Sequence, residues 1–94
     1  LQCDLVTGVR PHWIGGEPPV GCFACGAQTR YRQAARSCRV EIRGESVEVL
    51  FDEPQRAVTP GQFIVFYAGD RCLGGAVIAS TARSAMAVDT AATG

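Results

Sequence analysis

The sequence contains no lysine; its nine basic side chains are all arginine. No apolar run approaches the ~20 residues that a membrane-spanning helix needs. The chain does not open on a basic stretch followed by an apolar one, so no secretory signal is visible, and a cytoplasmic location with reduced thiols is expected. Net charge is missing too. Nine acidic residues balance the nine arginines, which excludes a globally basic nucleic-acid binder but leaves room for a local basic patch. At 94 residues there is no space for a two-domain enzyme with a nucleotide site between its domains. A phosphate-binding loop is absent as well: Gly15-Gly16 runs into Glu-Pro-Pro and Gly74-Gly75 into Ala-Val, without the Ser, Thr or Lys such a loop uses. The single histidine, His12, has no Ser or Cys at useful spacing and is read as packing beside Trp13. No assembled active site is expected.

What the chain does have is a globular composition, 47% hydrophobic and 19% charged, and an uneven distribution of charge. Arg30, Arg32, Arg36, Arg39 and Arg43 crowd one segment in which only Glu41 opposes them; Glu45, Glu48, Asp52 and Glu53 follow at once. Arginine without lysine suits planar, bidentate contact with phosphate or carboxylate. Salt-bridging across neighbouring strands accounts for the same pattern.

Period-2 alternation is the clearest local signal. From Phe23 to Arg32, the residues Phe23, Cys25, Ala27, Thr29 and Tyr31 share one face, and the polar, arginine-bearing set shares the other. Cys38, Val40 and Ile42 alternate with Arg39, Glu41 and Arg43; Gly44-Glu45 then turns the chain into Val47, Val49 and Phe51, which predicts a hairpin. Asp52 to Arg56 reads as a polar loop. Thr59-Pro60-Gly61-Gln62 reads as a type II turn, with Pro fixing φ and Gly supplying the positive φ. Phe63 to Tyr67 and Cys72 to Ala79 are apolar on both faces, joined by a turn at Ala68-Gly69-Asp70-Arg71, with Gly74-Gly75 allowing a bulge or close packing. Cys3 to Val6 and His12 to Ile14 read as short strands. The fold class is therefore all-β, a small antiparallel barrel of about six strands over residues 1–80, followed by an Ala/Thr-rich tail over 81–94 that is briefly helical around Ala82 to Val88. One side of the two doubly apolar strands would fill the barrel and the other would rest on a neighbouring domain or partner chain, so the sequence reads as a piece of a larger protein; a flat sandwich is the other arrangement.

Two constellations bear on chemistry. Cys22 and Cys25 form a C-x-x-C pair, but three positions apart on a strand they point to opposite faces. A metal site would need a turn at Phe23-Ala24, a poor turn sequence, and two further ligands, so no metal is expected and the five cysteines are read as free thiols. At the end of the first clear strand, Arg30-Tyr31-Arg32-Gln33 gathers two guanidiniums, a ring and an amide, a set able to engage phosphate, stack on a base and read an edge. The same residues also fit a purely structural role, with Tyr31 packed inward as its parity predicts and the arginines paired with Glu41 or Glu48.

Three ordered stretches resemble the C-terminal domain of tRNA-specific 2-thiouridylases: Thr29 to Gln33, Phe51 to Gln62, and Val65-Phe66-Tyr67 followed by Cys72 to Gly75. His12-Trp13-Ile14 and Glu17-Pro18 are similar to the start of that domain, and the likeness spans roughly residues 5 to 79. The resemblance implies a barrel similar to one found in translation elongation factors, the last of three domains of an enzyme that uses ATP to activate the wobble uridine of certain tRNAs and installs sulfur from a persulfide donor. ATP and the catalytic cysteines belong to the N-terminal domain, so no cofactor and no catalytic residue is expected in this chain, nor activity from it alone. Its expected partners are the anticodon arm of tRNA and the N-terminal and central domains of the same enzyme. The positions matching RNA contacts are Arg30, Tyr31 and Gln62, with Arg32 and Gln33 beside them. Where many relatives carry lysine, this chain has Gln28. The alternative is a scaffold barrel that packs on the catalytic domains and touches RNA little.

Overall fold

A computed structural model describes residues 2–19 and 21–84. Six strands form: β1 (Gln2–Trp13), β2 (Cys22–Gln28), β3 (Arg36–Arg43), β4 (Ser46–Arg56), β5 (Phe63–Ala68) and β6 (Arg71–Ala82). They close into an antiparallel barrel in the order β1-β4-β3-β2-β5-β6, with β6 returning to β1, which excludes the flat sandwich. Among the described residues no helix is long and apolar enough to cross a membrane.

The expected hairpin is β3–β4. Arg43 pairs with Ser46, and Gly44, at φ 62°, is the first of two loop residues, as a type II′ turn requires. The inward set alternates as the sequence indicates: Val6, Val40, Val47, Val49, Ile64, Phe66 and Ile78 are buried and fill the barrel. The turn before β5 also forms, with Gly61 at φ 94° and the Gln62 N–H donating to the Thr59 carbonyl at 3.3 Å.

Three stretches depart from the sequence reading. The two short strands expected at the start are one 12-residue strand. It survives Pro11 because Arg10 and Pro11 lie in a bulge against β6, Arg10 adopting φ 50°, so the proline sits where no ladder N–H is demanded. The expected polar loop from Asp52 to Arg56 instead continues β4, paired through Gln55 to Cys3 and through Arg56 to Gln2, with an irregularity absorbing the residues before them. Polar residues stand there because the strand runs past the core to the barrel rim, where nothing demands apolar alternation. At the other end, Ser80 to Ala82 close β6. Ser84 then donates its N–H and hydroxyl to the buried Asp4 carboxylate at 2.6 and 2.7 Å, satisfying that charge and tying down the chain. The rest of the expected tail, including most of its helical segment, lies outside the described residues.

Trp13 caps one end of the core, stacked on Phe66 at 5.6 Å and edge-on to Phe23 at 6.0 Å. It passes directly over Gly74, which pairs with it across β1–β6 at φ 151°; a Cβ on Gly74 would run into the His12 carbonyl oxygen and meet Trp13 Cα at 2.9 Å. Gly74→Ala therefore combines backbone strain with overpacking at the closing seam, and a loss of about 3 kcal/mol is expected by chemical denaturation. Gly15→Ala, at φ 91° but with open space around it, carries the strain without the clash and should cost distinctly less.

Candidate nucleic-acid interface

Strand register decides which loops share a barrel end. Gly26 pairs with Tyr67 and Gln28 with Val65, so β2 ends where β5 begins; Ala27 pairs with Arg36 at the start of β3, and Arg56 with Gln2 at the end of β4. The segments 29–35 and 57–62 and both ends of the described chain therefore meet at one rim. All five sequence-predicted residues, Arg30, Tyr31, Arg32, Gln33 and Gln62, lie in those segments.

The first segment is a tight turn. β2 stops at Gln28, and the Gln33 N–H donates to the Arg30 carbonyl at 3.2 Å, placing Tyr31 and Arg32 at the tip. The parity that would send Tyr31 inward is lost with the strand, and Tyr31 is 89% exposed. The Arg32 guanidinium carbon lies 6.0 Å from the centroid of the Tyr31 ring. Beneath the tip, glutamine amides hold the turn. Gln28 Nε2 donates to the carbonyls of Tyr31, at 3.0 Å, and Gln33. Gln33 Oε1 accepts from both the N–H and the hydroxyl of Thr29 at 3.2 Å, and Gln33 Nε2 reaches Gln55 Oε1 at 3.4 Å. Gln33 thus faces into the wall and positions its neighbours, while Arg30 and Tyr31 face out. At the second segment, Gln62 Oε1 accepts from the Thr59 N–H at 3.2 Å, so what Gln62 can offer an outside group is its Nε2 hydrogens.

Arg30 Nη2 donates to the Arg56 carbonyl at 2.8 Å, linking the first segment to the end of β4 and leaving most of its guanidinium donors directed elsewhere. Arg30, Arg36 and Arg56, with Gln33, Gln55 and Glu53, line a cavity of 290 Å³. Asp52 and Glu53 border a smaller one, of 220 Å³, on the far side of Arg36, so the rim is basic around the turn and acidic along one flank. Among the described residues the ion pairs belong to Arg43, which takes Glu41 at 3.0 Å and Glu48 at 3.2 Å. Those are the two glutamates considered as partners for Arg30 and Arg32; a different arginine has them. Sequence reasoning missed Arg56 and Gln55 as parts of this rim. Their only signal was the register that carries β4 past its apolar section.

The other candidates fall elsewhere. Cys22 is exposed, with Arg39 Nη1 at 3.9 Å from its sulfur, while Cys25 faces Cys38, so the C-x-x-C pair is split between faces as strand parity requires. Among the described residues no three His, Cys, Asp or Glu side chains gather as metal ligands. His12 is exposed on β1, where a packed position was expected; the bulge at Arg10 and Pro11 turns Trp13 inward and its neighbour out.

A family model described as the aminomethyltransferase beta-barrel domain matches residues 4–78, nearly the whole of the barrel. The chain belongs to that family. It is 54% identical over 82 residues to the tRNA-specific 2-thiouridylase MnmA of Xanthomonas axonopodis pv. citri, and 56% identical over 82 residues to the protein of the same name from Xylella fastidiosa. Each alignment covers 86% of this chain and 22% of the relative, so the chain spans about a fifth of the length of the proteins it matches. The resemblance to the C-terminal domain of tRNA-specific 2-thiouridylases stands.

The glutamine network makes a direct prediction. Gln33→Ala strips the buried Thr29 N–H of its acceptor and should cost about 1–3 kcal/mol of stability. Amide exchange at Thr29 should rise sharply while that of Val40, in the core, follows only the global loss. Equal protection of Thr29 in both proteins would show that the Gln33 side chain does not hold the turn.

Proposed function

We propose that this barrel is the tRNA-docking domain of an ATP-dependent tRNA 2-thiouridylase, working in the cytoplasm by position rather than by reaction. ATP-dependent activation of the uridine and transfer of sulfur from a persulfide donor are assigned to the length of the relatives that this chain does not span. The barrel's part is to hold the anticodon arm so that the distant catalytic centre meets its base. One observation carries the reading: a rigid turn projects Tyr31, almost fully exposed, between two arginines on a rim that also gathers Arg36 and Arg56. An exposed ring flanked by guanidiniums and braced from behind gives single-stranded or looped RNA a stacking surface with phosphate contacts on either side. Arg30 contacts phosphate, Tyr31 stacks or meets a sugar, Arg32 adds charge at the tip, and Gln62 donates to the RNA backbone. Gln33 serves by fixing the turn.

Tyr31→Ala gives the sharpest test, because so exposed a side chain contributes little to folding. In the full enzyme it should leave the melting temperature unchanged and weaken tRNA binding by about 1–3 kcal/mol. Arg30→Ala and Gln62→Ala should each weaken binding by a similar amount. Unchanged affinity in all three variants would refute the assignment.

A second role is favoured by a separate observation. On the outer side of β5, β6 and β1, Phe63 is 71% and Ile14 63% exposed, and Val65 and Val77 help to line an apolar cavity of 330 Å³ between them. Such a patch marks an interaction surface. We assign it to the rest of the same polypeptide, whose greater length in the relatives supplies the neighbour that the doubly apolar strands call for. Phe63→Ser should lower the melting temperature of the full enzyme by several degrees while leaving that of the 94-residue chain unchanged. No change in the full enzyme would contradict the assignment.

A further inference from the structure

Cys25 and Cys38 are direct cross-strand partners in the β2–β3 ladder, and their sulfurs lie 3.8 Å apart. Opposed residues in antiparallel strands have Cα atoms about 4.5–5.5 Å apart, within the range a disulfide spans. Small rotations about the two Cα–Cβ bonds therefore suffice to bring the sulfurs together. Cys38 is buried, at 3% exposure, whereas Cys25 is half-buried. Cys25 keeps part of its surface open to solvent where Cys38 keeps almost none, and it lies one residue past Gly26, where the β2–β5 ladder ends.

We propose that Cys25 and Cys38 form a thiol–disulfide exchange site that accepts low-molecular-weight disulfides, Cys25 being the attacking sulfur and Cys38 the resolving one. The thiolate of Cys25 attacks one sulfur of the incoming disulfide; that S–S bond breaks and the first small thiolate leaves, taking up the proton Cys25 gave. Cys38 then loses its proton as its sulfur attacks Cys25 Sγ. The mixed disulfide breaks and the second small thiolate departs with that proton. Two protein thiols are oxidised to one disulfide, and the small disulfide is reduced to two thiols. The order of events follows from exposure, since Cys25 is the sulfur that solvent reaches and Cys38 is buried behind it. The contact between the sulfurs acts in the same sense: it lowers the Cys25 thiol below its ordinary value against the opposing effect of burial, helped by the Tyr67 backbone N–H, and together with burial it pushes Cys38 up. The new bond closes a ring from residue 25 to residue 38 that contains the Arg30–Gln33 turn, so it restricts the unfolded chain and leaves the native ladder in place.

The test uses the 94-residue chain carrying Cys22→Ser and Cys72→Ser, which removes the two exposed thiols and leaves the pair intact. Oxidised glutathione should cost it the mass of two hydrogens, and peptide mapping should join Cys25 to Cys38. Dithiothreitol should restore the thiols, and the oxidised form should melt at a higher temperature than the reduced one. Adding Cys38→Ser should stop the reaction at a glutathione adduct on Cys25. A glutathione adduct persisting on Cys25 with Cys38 present, a link involving Cys3, or a lower melting temperature after oxidation would each overturn the proposal. The mapping, the reversal and the melting comparison are all made on the protein that keeps Cys38.

Discussion

Pairing β1 with β6 bends two 12-residue strands through one bulge in each and lays Trp13 across a position where only glycine leaves room. That seam turns a curled sheet into a barrel, and barrel closure fixes which loops are neighbours. The turn after β2 and the turn before β5 come from distant parts of the chain, yet both open onto the rim where β4 ends, and Arg30 ties the first of them to that strand end through the Arg56 carbonyl. Loosening the seam would leave each turn intact and scatter them. The stability of Gly74 and Trp13, at the opposite end from the arginines, is thus a condition for the geometry of the rim.

Charge follows the same logic. The chain is neutral as a whole, but its acids and bases are sorted in space. Arg43 engages both Glu41 and Glu48, drawing two carboxylates into the β3–β4 hairpin, whose turn lies at the other end from the rim. The rim keeps Arg30, Arg32, Arg36 and Arg56, with Glu53 and Asp52 along one flank. A local field of one sign suffices to attract phosphate at short range, since salt screens anything beyond about 8 Å under physiological conditions. Arg30 and Arg32 also sit on a turn that Gln28 and Gln33 hold in place, which lowers the ordering cost of any contact made there.

The sequence was most readable where a strand has one wet and one dry face. The β3–β4 hairpin and the Thr59–Gln62 turn follow from alternation and from the positions of glycine and proline. It was least readable where the chain leaves the core: β1 crosses Pro11 on a bulge, and β4 runs on through polar residues at the rim, so neither carries the period-2 signature. The site shows the same division. Arg30 and Tyr31 stand out by residue type and by resemblance to the family, but the outward direction of Tyr31 depends on β2 ending at Gln28, which its alternating pattern disguises. Arg56 joins the rim only through the register of a closed sheet, and the inward role of Gln33 only through Thr29 and Gln55; neither can be read from spacing along the chain.

The claim that this rim meets RNA is tested most directly by titrating the 94-residue chain with an anticodon stem-loop RNA at several salt concentrations. If the three or four rim arginines neutralise phosphates, the logarithm of the binding constant should fall with the logarithm of salt at a slope of about −2 to −3. Binding that is absent at low salt, or that does not respond to salt, would contradict the account and leave the barrel as a scaffold.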